Sequence, residues 1–256
     1  MKLDPDSLRW QFDVYRWLFE NFGGYKAFLH QELVLPTGGF FAESSPPAIF
    51  ETVKQYAGME DWPCSLGSYG ESSPLDQTLR NMPFGGKPNP GTAGHITEEN
   101  REIVIRYNSD LEDDPVSLIA TFAHELAHYL IFNAFSKPPF GREHEEYATD
   151  LTAVFLGFGV FLANSTFKFS QWQDFKMQGW SYRRQGYLGE LDLSYGLAIF
   201  CLLKECDPKT VLPHLRPNPR SYLKTALRHL RKRHKGDIEA LTRVEALFSM
   251  RSKIEL

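Results

Sequence analysis

The sequence predicts a mainly helical α+β protein, in which a small twisted sheet lies above a helix carrying a histidine pair and further helices lie below. Three observations predict this. Apolar residues recur at helical spacing in several stretches, and the segment from 61 to 112 is rich in Gly, Pro and Ser with short β-prone pieces. His124-Glu125-Leu126-Ala127-His128 falls inside one of the helical stretches. With 256 residues, 42% of them hydrophobic, the chain can bury a sizeable core, and a single domain over 1–256 is expected.

Residues 1–60 carry N-terminal helices. Leu8, Phe12, Tyr15, Phe19 and Phe22 repeat at helical spacing up to Gly23-Gly24, and a second pattern starts after Pro46-Pro47 and stops at Gly58. Residues 61–112 are expected to form the small sheet and its loops, with a turn at Phe84 to Gly91. Glu102 to Tyr107 is β-rich. If Ile103, Val104 and Ile105 form an edge strand, an extended peptide can pair along them, whereas an internal strand is already paired on both sides.

Residues 113–170 form the expected metal-binding helical core. Asp114-Pro115 is a helix start, with Asp as N-cap and Pro in the first helical position. Leu118, Ile119, Phe122, Ala123, Leu126, Ala127 and Leu130 then make a core-facing stripe bordered by His124 and His128. Positions i and i+4 stack on one helix face, so both imidazoles can reach one metal ion with Glu125 beside it. Random placement yields the pentapeptide roughly 0.02 times in a chain of this length and composition, and the plain alternative is a helix with two ordinary polar histidines.

A third ligand is sought among Glu143, His144, Glu145, Glu146 and Asp150, which precede or open the next helical pattern, Tyr147 to Phe161. Glu146 is selected because Asp150, one turn on and on the same face, can accept the Nδ1 proton of a ligating histidine. The alternative is that acids gather at a helix N-terminus because its dipole favours them.

His124-Glu125-x-x-His128 followed by Glu146-x-x-x-Asp150 resembles the gluzincin metallopeptidases, most closely the soluble minigluzincin core shared by ImmA/IrrE-like peptidases. The resemblance covers about residues 100–165. No Gly and third His follow at the metzincin spacing. The resemblance implies a zincin-like fold and one zinc ion held by His124, His128 and Glu146. It also implies Glu125 as general base and acid, Asp150 orienting a ligand, and a peptide or protein substrate. A Tyr or His usually steadies the oxyanion in that group; Tyr147, Tyr182, Tyr187, Tyr195 and His144 are the candidates, Tyr147 and Tyr195 foremost.

Residues 171–256 are expected to be C-terminal helices. Leu191 to Leu203 is apolar on nearly every face and reads as a central packing helix, in which core packing is the stronger role for Tyr195. Between 214 and 235 stand eight Lys or Arg and no acid, beside a stripe of Tyr222, Leu223, Ala226, Leu227 and Leu230. Such a helix can bind a polyanion, but a stripe docked on the body with its charges in water explains the spacing without a ligand.

The net charge of −4 is too mild to imply a nucleic-acid or membrane partner for the whole chain. Leu151 to Ala163 is too short for the roughly 20 residues of a membrane span and reads as a buried helix behind the metal. The polar, acidic start carries no targeting signal, and Cys64, Cys201 and Cys206, an odd number without a C-x-x-C, fit a reducing compartment, the cytoplasm. Two function classes compete: a zinc peptidase, and a regulator or scaffold of the same fold in which metal serves stability alone. Glu125 favours hydrolysis, because a structural zinc site is closed by four protein ligands.

Overall fold

The computed structural model describes residues 2–37, 45–69, 94–99, 102–165 and 188–247. The expected turn at Phe84 to Gly91 lies outside them, as do Tyr182 and Tyr187. Asp4 starts helix α1 (Pro5–Asn21): its carboxylate accepts from the amides of Asp6 (3.1 Å) and Ser7 (3.0 Å), and Pro5 fills the first position. The helix buries Leu8, Phe12, Tyr15, Leu18 and Phe19 and stops before Gly23, whose φ of 90° suits glycine. A short helix the sequence did not suggest, α2 (Gly24–Phe28), follows at once. Gly24 permits it: a Cβ there would stand 3.0 Å from the Ala246 nitrogen, where the C-terminal segment passes. Helix α3 (Pro46–Tyr56) ends near Gly58 as expected.

Strands β1 (Ser65–Tyr69), β2 (Gly94–Glu99) and β3 (Glu102–Asn108) form one sheet in the order β1-β3-β2. β2 runs antiparallel to β3 with Ile96 opposite Ile105, and β1 runs parallel to it with Leu66 opposite the same residue. β3 is therefore the middle strand. Ile103, Val104 and Ile105 offer no substrate edge, because their ladder is shared between two neighbours; of the two alternatives, the internal strand holds. Buried Ile96, Ile105 and Tyr107 tie the sheet to the helix that follows, the Tyr107 ring meeting Phe122 edge-on at 5.5 Å.

That helix, α4 (Pro115–Phe132), is capped as expected, Asp114 accepting from the Ser117 hydroxyl at 2.6 Å. The connection after it is pinned to α1: Asn21 accepts from the Ser136 amide (2.9 Å), and Trp17 donates to the Ser136 hydroxyl (3.0 Å). Helix α5 (Glu145–Ala153) passes through a π-helical turn (Val154–Phe158) into helical residues 159–165. The whole run, Glu145–Ser165, is long and apolar enough by composition to cross a bilayer, but 94% of its apolar window is buried inside the protein, which accounts for that composition.

Helix α6 (Glu190–Leu203) is buried on nearly every side, as its sequence predicts. It crosses α5 closely, since a Cβ on Gly196 would lie 2.6 Å from Leu151 Cδ1, and Tyr15 donates to the Gly196 carbonyl at 3.0 Å. After the short α7 (Pro208–Val211), helix α8 (Pro217–Arg233) lays Leu223, Ala226, Leu227 and Leu230 against α6. Its Lys224, Arg228, Arg231, Lys232 and Arg233 face outward. Helix α9 (Lys235–Leu241) follows. Leu8 near one end and Leu230 near the other belong to one continuous apolar cluster.

Candidate metal centre

Two neighbouring helices build the site. On α4, His124 and Glu125 are buried at 6% and 3% exposure, and His128 is one turn further on. On α5, Glu146, Thr149 and Asp150 occupy i, i+3 and i+4, one face of the helix. His124 Nε2 and His128 Nε2 lie 3.1 Å apart, and Glu146 Oε2 stands 3.2 Å from the first and 3.5 Å from the second. Among the described residues, these three form the one group of His, Cys, Asp or Glu side chains close enough together to hold a metal ion. The other acids considered for that role, Glu143 and Glu145, are exposed and stand outside it.

The outer ring nitrogens are already committed. His124 Nδ1 donates to Asp150 Oδ1 at 2.9 Å, and the second Asp150 oxygen accepts from the Leu188 amide at 2.7 Å. Thr149 gives its hydroxyl proton to the Glu145 carbonyl at 2.9 Å, so towards His128 Nδ1, at 3.2 Å, its oxygen accepts. Both rings thus commit Nδ1 to these partners and turn Nε2 inward, towards the Glu146 carboxylate. Once both Nε2 atoms are free of a proton, three acceptors face one another, and they need a cation between them. Their spacing suits one: four ligands placed tetrahedrally at zinc–nitrogen and zinc–oxygen bond lengths stand about 3.3 Å apart.

A proton competes with a metal for the same atoms. Burial works against charge on His124, but the bonds to Asp150 and Glu146 outweigh it and hold the imidazole pKa well above its ordinary value. Burial would raise the Glu146 carboxyl too, and the two histidines override it, keeping the group ionised far into acid. Glu125 behaves oppositely. Burial pushes its pKa up, and the nearby His124 and His128 only partly counter this. Among the described residues, no side chain or amide hydrogen-bonds its carboxylate. A buried carboxylate with a raised pKa beside a cation site is poised to take a proton.

Of the oxyanion candidates, Tyr195 has the core role favoured for it and not the oxyanion role: it is fully buried, and its hydroxyl is engaged by His229 Nδ1 at 3.0 Å on α8. His144 is half exposed, at 3.3 Å from Glu143. Tyr147 follows Glu146 directly and is half-buried, its ring centroid 6.0 Å from that of His144.

Thr149 was not anticipated, although its position three residues after Glu146 and one before Asp150 would have placed it on the same face. Thr149→Val keeps the shape and removes the acceptor for His128. Metal affinity measured by competition with a chelating dye is expected to fall about 10- to 100-fold with the fold intact.

Comparison with known proteins adds no relative: no family model, curated protein or solved structure matches the chain.

Proposed function

We propose that this protein is a zinc-dependent hydrolase of peptide bonds, of the gluzincin type, with His124, His128 and Glu146 as metal ligands. The observation that carries the reading is the convergence of His124 Nε2, His128 Nε2 and Glu146 Oε2, with the two rings oriented by Asp150 and Thr149, next to the buried Glu125. Two imidazoles and one carboxylate favour zinc over calcium or magnesium, which take oxygen ligands. When bound, zinc would supply Lewis acidity, and the three ligands that converge among the described residues would leave a coordination position for water.

Within that site, Glu125 accepts a proton from the attacking water and passes it to the leaving amine, a role suited to its raised pKa. Asp150 holds the His124 ring and, through the Leu188 amide, is itself held by the start of α6. Substrate pairing moves from β3 to β2. This strand lies on α4, and among the described residues no strand covers its outer side, so an extended peptide can add there by backbone hydrogen bonds.

Metal removal tests the site directly. Chelation is expected to lower stability by about 4 kcal/mol, for an ion present at roughly 1,000 times its Kd, which is a fall in Tm on the order of 10 °C. Zinc should restore the melting curve and magnesium should not. A Tm indifferent to chelator would remove the metal centre.

A further inference from the structure

Helix α6 ends by folding two cysteines onto one another. After Lys204 the chain takes a left-handed residue, Glu205, at φ 52°, and the Cys206 amide turns back to donate to the Cys201 carbonyl at 2.9 Å, while Glu205 N–H points to Leu202 O at 3.4 Å. In this paired helix closure, the side chain just after the left-handed residue packs on the one in the last turn. Here both of those side chains are thiols, and the backbone closure sets them beside one another. A backbone N–H···O bond keeps two Cα atoms within roughly 6 Å, inside the range of about 4.4–6.8 Å that a disulfide spans.

Two features mark this closure as more than a helix end. The left-handed position normally belongs to glycine, and Glu205 is the one non-glycine residue with positive φ among the described residues, so the turn that aims Cys206 at Cys201 is held under strain. A fixed cation adjoins it as well: the Lys204 ammonium donates to the carbonyls of Phe28 and Leu29 and sits 5.7 Å from the centre of the Phe28 ring. Cys206 is half-buried and Cys201 is 3% exposed, whereas Cys64 lies elsewhere, in the segment before β1.

We propose that Cys201 and Cys206 form a peroxide-reactive dithiol that closes reversibly to a disulfide across the end of α6. Cys206 sulfur attacks the O–O bond of a hydroperoxide and takes one oxygen as sulfenic acid, and the other oxygen leaves as an alcohol, or as water from hydrogen peroxide. The Cys201 sulfur then displaces that hydroxyl group as water and forms the S–S bond. In sum, the two thiols lose two protons and two electrons, together two hydrogen atoms, and the peroxide is reduced by two electrons. The thiol environments fit this order. Contact with Cys201 and the Lys204 ammonium pull the Cys206 thiol pKa down, while contact with Cys206 and burial push that of Cys201 up, and burial pushes that of Cys64 up. The dithiol is independent of the metal reading.

The test treats the full-length folded chain with equimolar hydrogen peroxide and follows intact mass, alkylation and non-reducing peptide maps. The mass is expected to fall by two hydrogens, and the peptide map should join Cys201 to Cys206. Cys64 should remain open to alkylation, and dithiothreitol should reverse the change. Cys201→Ser should accumulate a sulfenic acid at Cys206 that dimedone captures, and Cys206→Ser should slow oxidation of Cys201 at least about 10-fold. Three thiols still alkylatable, Cys64 reacting first, or Cys206 proceeding to sulfinic acid without the cross-link would each overturn the proposal.

Discussion

Exchange of Glu125 for Gln is expected to abolish peptide cleavage, a fall of about 10²- to 10⁴-fold, while bound metal and melting temperature are kept or rise. The two side chains share shape and volume, so the packing of α4 under the sheet is undisturbed. Glutamine cannot take a proton from water. It also removes a buried carboxylate that no described donor satisfies, and whose raised pKa records the cost of its burial. Loss of function with no loss of stability distinguishes a reacting group from a structural one. Turnover, zinc content and Tm measured on parent and variant decide the matter, and a variant that cleaves as well as its parent would remove Glu125 from the mechanism.

Gly157→Ala is expected to destabilise the fold by about 3 kcal/mol or more, a drop in Tm on the order of 10 °C in thermal unfolding. Gly157 sits in the π turn with φ 96°, and a Cβ there would stand 2.1 Å from the Glu32 carbonyl oxygen. The strap that would have to move is backbone, and it is bonded at both sides of the contact. Val34 N–H donates to the Gly157 carbonyl at 3.0 Å, and Gln31 Nε2 donates to the Leu156 carbonyl at 2.8 Å. Strain and the loss of these two bonds add together. An alanine variant melting within about 2 °C of the parent would show that the strap yields easily.

The parts of this molecule set by local chemistry were legible in the sequence. The Asp114-Pro115 start, the stacking of His124 and His128 and the alignment of Asp150 one turn after Glu146 need only the geometry of a helix. Burial of α6 and the docking of α8 through Leu223, Ala226, Leu227 and Leu230 follow from which faces are apolar. What depends on distant partners was not legible. β3 became a middle strand because residues 65–69 pair with it from far along the chain, and alternation within a strand carries no record of its neighbours. The Leu188 amide on Asp150 is backbone, which no residue type announces. The core role favoured for Tyr195 holds, but the partner of its hydroxyl, His229 on another helix, left no sign in the local pattern. Gly157 lay inside an apolar run, where the helical pattern hides a turn that depends on contact with Glu32.

Elemental analysis of the purified protein, beside His128→Ala, tests the central claim most directly. About one zinc ion per chain, retained through dialysis and lost in the variant, is the expected result for His124, His128 and Glu146 acting as a coordination set. A parent protein that holds no transition metal when supplied with zinc, or a variant that binds it as tightly as the parent, would contradict the account.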